Sequence, residues 1–495
     1  MSQHHTGTDY FPTETAGLAP AAPVDTVDLL DDDSYTLRIA PVAKQIGDTT
    51  VRMLSYNGSV PGPQLRVRQG SQVTVRVVND GDTEATVHWH GIRLDNRYDG
   101  THQTQDPIPV GGEFSYRVAF PDPGVYWYHP HVRHDYNQEL GLYGTIVVAP
   151  AQQDYWPAVN REVTLTIDDL LIEDGRIAPF RRSATNYAAM GRYGNVMLVN
   201  GVPDTTLAAD KGEVVRFYLV NTANTRTFNV AFRGAHTKLV GGDSGRCEHE
   251  EFVDAVMISP SERAVVDVLF EDPGPVTIEH RTPEHTSVLA TVSVSDTPAE
   301  PALAAHFAQL RTNDDLVREH QHVVEHLDTE PDKTLLLVAE MDMDHGHHDH
   351  SHHGHSPAEP PKPIEWEDDM VEMNRASTQD TMRWKLIDRD TGAEGHAIDW
   401  RFRVGDRVKI RLINGTDSDH PMQHPMHIHG AGRFLIVARD GEAEPNLVWK
   451  DTVLVPTGQI TDILLELTNP GVWMTHCHIA EHHETGMMFN FTVEP

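Results

Sequence analysis

Gly70–Asn79 reads GSQVTVRVVN: a glycine, a run in which valines alternate with polar residues, and an asparagine. That alternation has the period of an extended strand with one buried face, and its β-branched residues suit a pleated surface. The same design recurs as GEVVRFYLVN at 212–221 and GDRVKIRLIN at 405–414, with an identical Gly-to-Asn interval. Asn57-Gly58 and Asn200-Gly201, both turn signals, precede the first two copies at nearly equal distances. A second motif closes each copy: PGVYWYHPH at 123–131, PGPVTIEHR at 273–281 and PGVWMTHCH at 470–478. Each reads as a turn leading into a strand. Repetition on this scale implies homologous units. Short strands between Gly/Pro turns make those units β-sandwiches.

The expected organisation is all-β. An arm over 1–35 precedes a first sandwich at 36–150, a second at 155–298, a linker at 299–332 and a third sandwich at 333–495. The best helix candidate lies near 301–327. Residues 341–363, MDMDHGHHDHSHHGHSPAEPPKP, form a low-complexity His/Asp tract expected to loop out of the third sandwich.

Composition narrows the function. A chain of 495 residues has room for roughly two to four domains. No apolar run approaches the length of a membrane span, and the first thirty residues lack the pattern of a secretory signal. The net charge of -35 argues against nucleic acid, which is bound through basic side chains, and suits a salt-loving source. Two cysteines exclude a disulfide-rich scaffold. The 32 histidines are the first sign of metal.

Four His-x-His pairs carry that sign: His88/His90, His129/His131, His427/His429 and His476/His478. Residues two apart on a strand point the same way, so each pair presents two imidazoles side by side. Imidazole suits copper, zinc, iron and nickel. All four pairs fall in the first and third copies of the repeat. Where these have His129 and His476, the middle copy has Glu279, and its other strand reads TFNVAFRG. An interdomain site built by the outer units is therefore expected. Cys477 lies between His476 and His478, so it must point the opposite way, toward a second site. His424, His482 and Met487 lie near it in sequence, and one thiolate, two imidazoles and a thioether are the ligands of a blue electron-transfer copper.

With the motifs HxHG, HxH, HPxHxH and HCHx3Hx4M in place, residues 36–495 resemble the three-domain multicopper oxidases, which include laccases, bacterial copper-efflux oxidases and bilirubin oxidases. The resemblance implies cupredoxin-like Greek-key sandwiches and four coppers. It assigns His424, Cys477, His482 and axial Met487 to type 1 copper. It assigns His88 and His427 to type 2, and His90, His129, His131, His429, His476 and His478 to the type 3 pair. The implied reaction oxidises phenols or aromatic amines one electron at a time and reduces dioxygen to water. An alternative is a metallo-oxidase acting on Cu(I), Fe(II) or Mn(II), and a third reading is a copper-storage protein. Relatives generally work outside the cytoplasm.

Protons for that reaction implicate further residues. Asp99, in DNRYDGTHQ, matches the family acid near type 2 copper, although Asp-Gly is also a turn signal. Many bacterial members carry Glu directly after the second type 1 histidine. Here the position is His483, so either His483 takes the role or Glu484 or Glu481 reaches in. His102, His134 and His483 match no family ligand and are expected around the site or at the surface. Asp451 is expected either near the type 1 site, meeting a phenolic or amine donor, or at a strand end. Cys247 is expected to be a structural free thiol. The histidines of 345–355 either gather extra copper or form a solvated loop.

Overall fold

The computed structural model describes residues 9–341 and 362–495. The His/Asp tract lies outside these residues apart from its two ends. Strand accounts for about 48% of the chain and helix for about 9%. Among the described residues the strands form three pairs of sheets, of five and four, six and five, and six and five strands, and a two-stranded ribbon of Ile172–Glu173 and Arg176–Ile177. Three separate apolar cores fill them.

The repeat has a structural meaning. Strands Gln72–Asn79, Glu213–Asn221 and Arg407–Ile413 occupy the same place in their units. Each runs parallel to the unit's early long strand and antiparallel to a later one. The initial glycines, Gly70, Gly212 and Gly405, have φ of 90°, 76° and 96°, which favours glycine. The closing asparagines are buried ties. Asn79 Nδ2 donates to the carbonyls of Thr83 and Ile108, Asn221 Nδ2 to Arg226 and Ile258, and Asn414 Nδ2 to Met422 and Val455. Each therefore fastens the strand end to the loops beside it.

The Pro-Gly strands Gly124–His129, Gly274–Arg281 and Gly471–Cys477 lie in the other sheet of each pair. In the outer units they are flanked by the strands that carry the other histidine pairs, His88–His90 and His424–Ile428. The corresponding middle strand is Phe228–Arg233. Glu279 there is neutralised by Arg281 at 2.9 Å and Arg233 at 3.8 Å.

The described part of the arm drapes over the body. Phe11 stacks on Tyr136 at 3.7 Å, and Thr26–Asp28 adds a parallel edge strand to Gln64–Arg66. The helical segment expected near 301–327 is broken into Ala304–Phe307, Asp314–His320 and the tight turn Gln321–His326. Phe307 packs on Val214 and Leu269 of the middle unit, and Val323 on Leu435 and Trp449 of the third. These short pieces thus clamp the two sandwiches together.

Candidate metal centre

Strand register brings the histidines together. His88 lies opposite His129 in the first unit, and His427 opposite His476 in the third. With His90, His131, His429 and His478 they make one buried cage, each ring no more than 4% exposed. Ring centroids cross between units: His88–His429 at 3.9 Å, His90–His427 at 3.7 Å and His131–His476 at 5.0 Å.

The outer ring nitrogens face acceptors and so carry the protons. His88 Nδ1 donates to the Asp99 carbonyl at 2.8 Å, His427 Nδ1 to the Asp451 carbonyl at 2.9 Å, and His476 Nδ1 to the Cys477 carbonyl at 2.8 Å. His129 Nδ1 donates to Pro130 at 3.0 Å and His429 Nδ1 to Asp99 Oδ2 at 2.8 Å. His90 is reversed: its Nε2 donates to Asp451 Oδ1 at 3.0 Å. The inner nitrogens are therefore lone pairs, and they face one another. His427 and His88 Nε2 are 3.4 Å apart, His476 and His429 Nε2 3.2 Å, and His90 Nδ1 and His129 Nε2 3.4 Å. Among the described residues, His131 Nε2 and both nitrogens of His478 have no hydrogen-bond partner. Burial, reinforced by the neighbouring imidazoles, lowers the pKa of the cage histidines His90, His129, His131, His429, His476 and His478 well below normal and keeps them neutral. Buried lone pairs set against lone pairs repel unless cations lie between them. A dry cage of neutral imidazoles is what a cluster of soft divalent metals requires.

Cys477 points away from this cage. Its Sγ is 3.5 Å from His424 Nδ1 and 3.8 Å from His482 Nδ1, and those nitrogens are 3.4 Å apart. Burial pushes the thiol pKa far up, so only a bound cation would make it a thiolate here. Met487 is fully buried. Cys477 N–H donates to its carbonyl and its own N–H donates to His482, each at 3.0 Å. Trp384 stacks on His482 at 3.9 Å and is fixed by Nε1 donating to the Ala188 carbonyl at 2.7 Å. Two imidazoles and a thiol in a buried pocket, with Met487 in the same apolar core, fit a single copper.

The carboxylates fall into distinct places. Asp99 is fully buried, with Oδ2 bound to His429 and Oδ1 3.4 Å from His88 Nδ1. His483 lies against the cage, 4.7 Å from His476 and 5.1 Å from His131. Glu484 turns aside and accepts the His134 N–H at 2.8 Å. Glu481 is fully buried, bonded by Thr225 at 3.2 Å, and burial raises its pKa to about 7. His134 is buried against His129. His102 is exposed. Cys247 is buried, donates to the His249 carbonyl at 3.0 Å, and burial pushes its pKa up to about 12.

Asp451 corrects one expectation. It reaches no surface where a phenolic or amine donor would meet it, because it is 3% exposed and turned into the cage. Arg263, from the middle unit, grips it through two bonds of 2.7 and 2.5 Å. Although burial opposes ionisation, the Arg263 charge and hydrogen bonds hold the Asp451 carboxyl well below the usual range. The pair explains the glycine of HWHG. A Cβ on Gly91 would lie 2.4 Å from Asp451 Oδ2 and 2.8 Å from an Arg263 nitrogen. Arg263 escaped the sequence reading because SERAVVDVLF shows only an ordinary strand.

The comparisons agree with this geometry. Two sequence profiles, each described as "Multicopper oxidase", match residues 40–153 and 363–495. "Multicopper oxidase MmcO" of Mycobacterium tuberculosis is 27% identical over 96% of this chain and 91% of its own. "Laccase-3" of Oryza sativa subsp. japonica is 24% identical over 90% of this chain and 89% of its own. The solved structure "Multicopper oxidase from Campylobacter jejuni: a metallo-oxidase" shares the fold, with a TM-score of 0.71, 23% identity and coverage of 97% and 98%. The chain belongs to the multicopper oxidases, copper-dependent oxidoreductases that use dioxygen as their acceptor.

Proposed function

We propose that this chain is a laccase-type oxidase, taking single electrons from phenols or aromatic amines and passing four to dioxygen. One observation carries the reading. Cys477 lines one pocket, while its chain neighbours His476 and His478 line the other. A single stretch of covalent bonds therefore joins the two. His424, Cys477, His482 and Met487 would hold type 1 copper, His88 and His427 type 2, and the remaining six cage histidines the type 3 pair. Bound copper supplies the one-electron redox chemistry and the site of oxygen reduction.

The chain's own residues keep the cage dry, orient its imidazoles and deliver protons. Asp99 is placed to do both of the latter: Oδ2 fixes His429, and among the described residues Oδ1 has no hydrogen-bond partner. Asp99→Asn keeps an acceptor for His429 but cannot carry a proton. Reoxidation of the reduced enzyme by oxygen should slow by about a hundredfold, within the range for positioned acids and bases. Anaerobic bleaching by a phenol should barely change. Reoxidation at the normal rate would remove Asp99 from the proton path. His483, 4.7 Å from His476 and 5.1 Å from His131, with Glu484 3.7 Å behind it, would serve as the second proton donor.

Oxygen uptake by the copper-loaded protein, with a phenol and with Cu(I) in parallel, tests the substrate class. Fast uptake with the phenol and only background with Cu(I) is the expected result; the reverse makes the chain a metallo-oxidase. One contact favours that second reading: Met190 Sδ lies 3.1 Å from His420 Nε2, and His420 is 6.0 Å from Trp384. The histidines of 345–355, outside the described residues, would gather extra copper without serving phenol oxidation. Deleting 345–355 should lower the copper count and leave phenol turnover intact. A collapse of turnover would make the segment structural.

A further inference from the structure

His134 is a ninth imidazole at the cage wall that the family's ligand pattern does not use. It follows Arg133, whose left-handed φ of 44° turns the chain back after the HPH strand. Its backbone N–H is held by Glu484 Oε1 at 2.8 Å. Its ring is fully buried, stacked on His129 at 4.9 Å and edge-on to His478 at 5.0 Å. These separations match those within the ligand set itself, where His129–His478 and His90–His478 are both 5.0 Å. Ring nitrogens of His129, His134 and His478 all lie within 4.8 Å of one another.

The proton on His134 is fixed by a chain of bonds. Gln138 Nε2 donates to the Thr222 carbonyl at 3.1 Å, so the amide oxygen faces back toward His134. That oxygen accepts from His134 Nε2 at 2.5 Å. Nδ1 is left as a lone pair, and among the described residues it has no hydrogen-bond partner. A buried acceptor with nothing to accept costs free energy unless something fills the place. The rings beside it turn unshared nitrogens the same way: His129 Nε2 faces His90 Nδ1 at 3.4 Å, and among the described residues neither nitrogen of His478 has a hydrogen-bond partner. A cation placed among the three rings would satisfy them together.

We propose that His134 is a further metal ligand, offering Nδ1 to the copper held by His129 and His478. Gln138 acts as the positioning residue that sets its tautomer, as acceptors behind metal-bound imidazoles generally do. The inference rests on reading the cage as the trinuclear copper site.

A crystal structure of the oxidised, copper-loaded protein decides it. A copper about 2.0–2.1 Å from His134 Nδ1 is expected, the range of a zinc–imidazole bond. A nitrogen more than about 3 Å from every copper overturns the assignment. Anaerobic competition for Cu(I) against a chromogenic chelator gives a second readout, with folding checked by thermal melting. His134→Phe keeps the ring's shape without its nitrogen and should weaken one of the bound coppers by about a hundredfold or more. Gln138→Met frees the tautomer and should weaken the same copper by about tenfold, as loss of an outer partner commonly does. Full copper content and unchanged affinity in both variants would refute the proposal. If the unaltered protein held no copper in the cage, the underlying reading would fail instead.

Discussion

Cys477→Ser should abolish blue absorbance and reduce phenol oxidation to background, while the histidine cage still takes up its copper. The thiol is fully buried, 3.5 Å from His424 and 3.8 Å from His482, on the face of its strand opposite the cage. Serine is nearly the same size, so the pocket should keep its packing, including the Trp384 stack on His482. What disappears is the polarisable sulfur, whose bonding to copper gives such sites their colour and potential. The cage should be spared because its rings are oriented by other atoms. His476, next in the chain, is fixed by the Cys477 backbone carbonyl, which serine retains. Copper analysis, visible absorbance and oxygen uptake on one preparation check this. Blue colour persisting in Cys477→Ser would remove Cys477 from the electron-accepting site. Loss of cage copper as well would mean that the two pockets fold as one.

The parts legible in the sequence are those that local rules decide. Gly70, Gly212 and Gly405 announce turns, the strands after them alternate with period two, and Asn79, Asn221 and Asn414 close each copy with the same pair of buried hydrogen bonds. The opposed directions of Cys477 and its flanking histidines follow from strand geometry alone. What the sequence hid depends on pairings between distant segments. Asp451 and Arg263 are 188 residues apart, and each alone reads as an ordinary strand residue. His134 sits in VRHDYNQEL, where nothing local says that a tight turn will fold it back against the cage. The helical linker broke into short pieces because its apolar residues serve two different sandwiches, Phe307 one and Val323 the other.

Arg263→Met should be costly although Arg263 touches no cage histidine in the bonds it makes. Its guanidinium is fully buried and links all three units. Nε donates to the Val125 carbonyl of the first at 3.1 Å, Nη1 to Ser261 of its own at 3.0 Å, and the fork to Asp451 of the third. Removing it leaves Asp451 and Asp243 buried together, with Lys450, 3.1 Å from Asp243, as their nearest cation. Breaking such a pair from one side costs about 3–5 kcal/mol, because a buried charge loses its partner. Asp451 also accepts from His90 Nε2, so a shift of its carboxylate frees that ring to turn. Copper retention in the cage should therefore fall by about 10- to 100-fold along with stability. Arg263→Lys should recover only part of both, since lysine restores the charge but not the two-pronged grip. Thermal unfolding and chelator competition on the same variants separate the two effects. A protein that melts earlier but holds cage copper as tightly as before would make Arg263 a fastener between units and nothing more. Loss of both together would mean that the unit without metal ligands helps to set the geometry of the metal site.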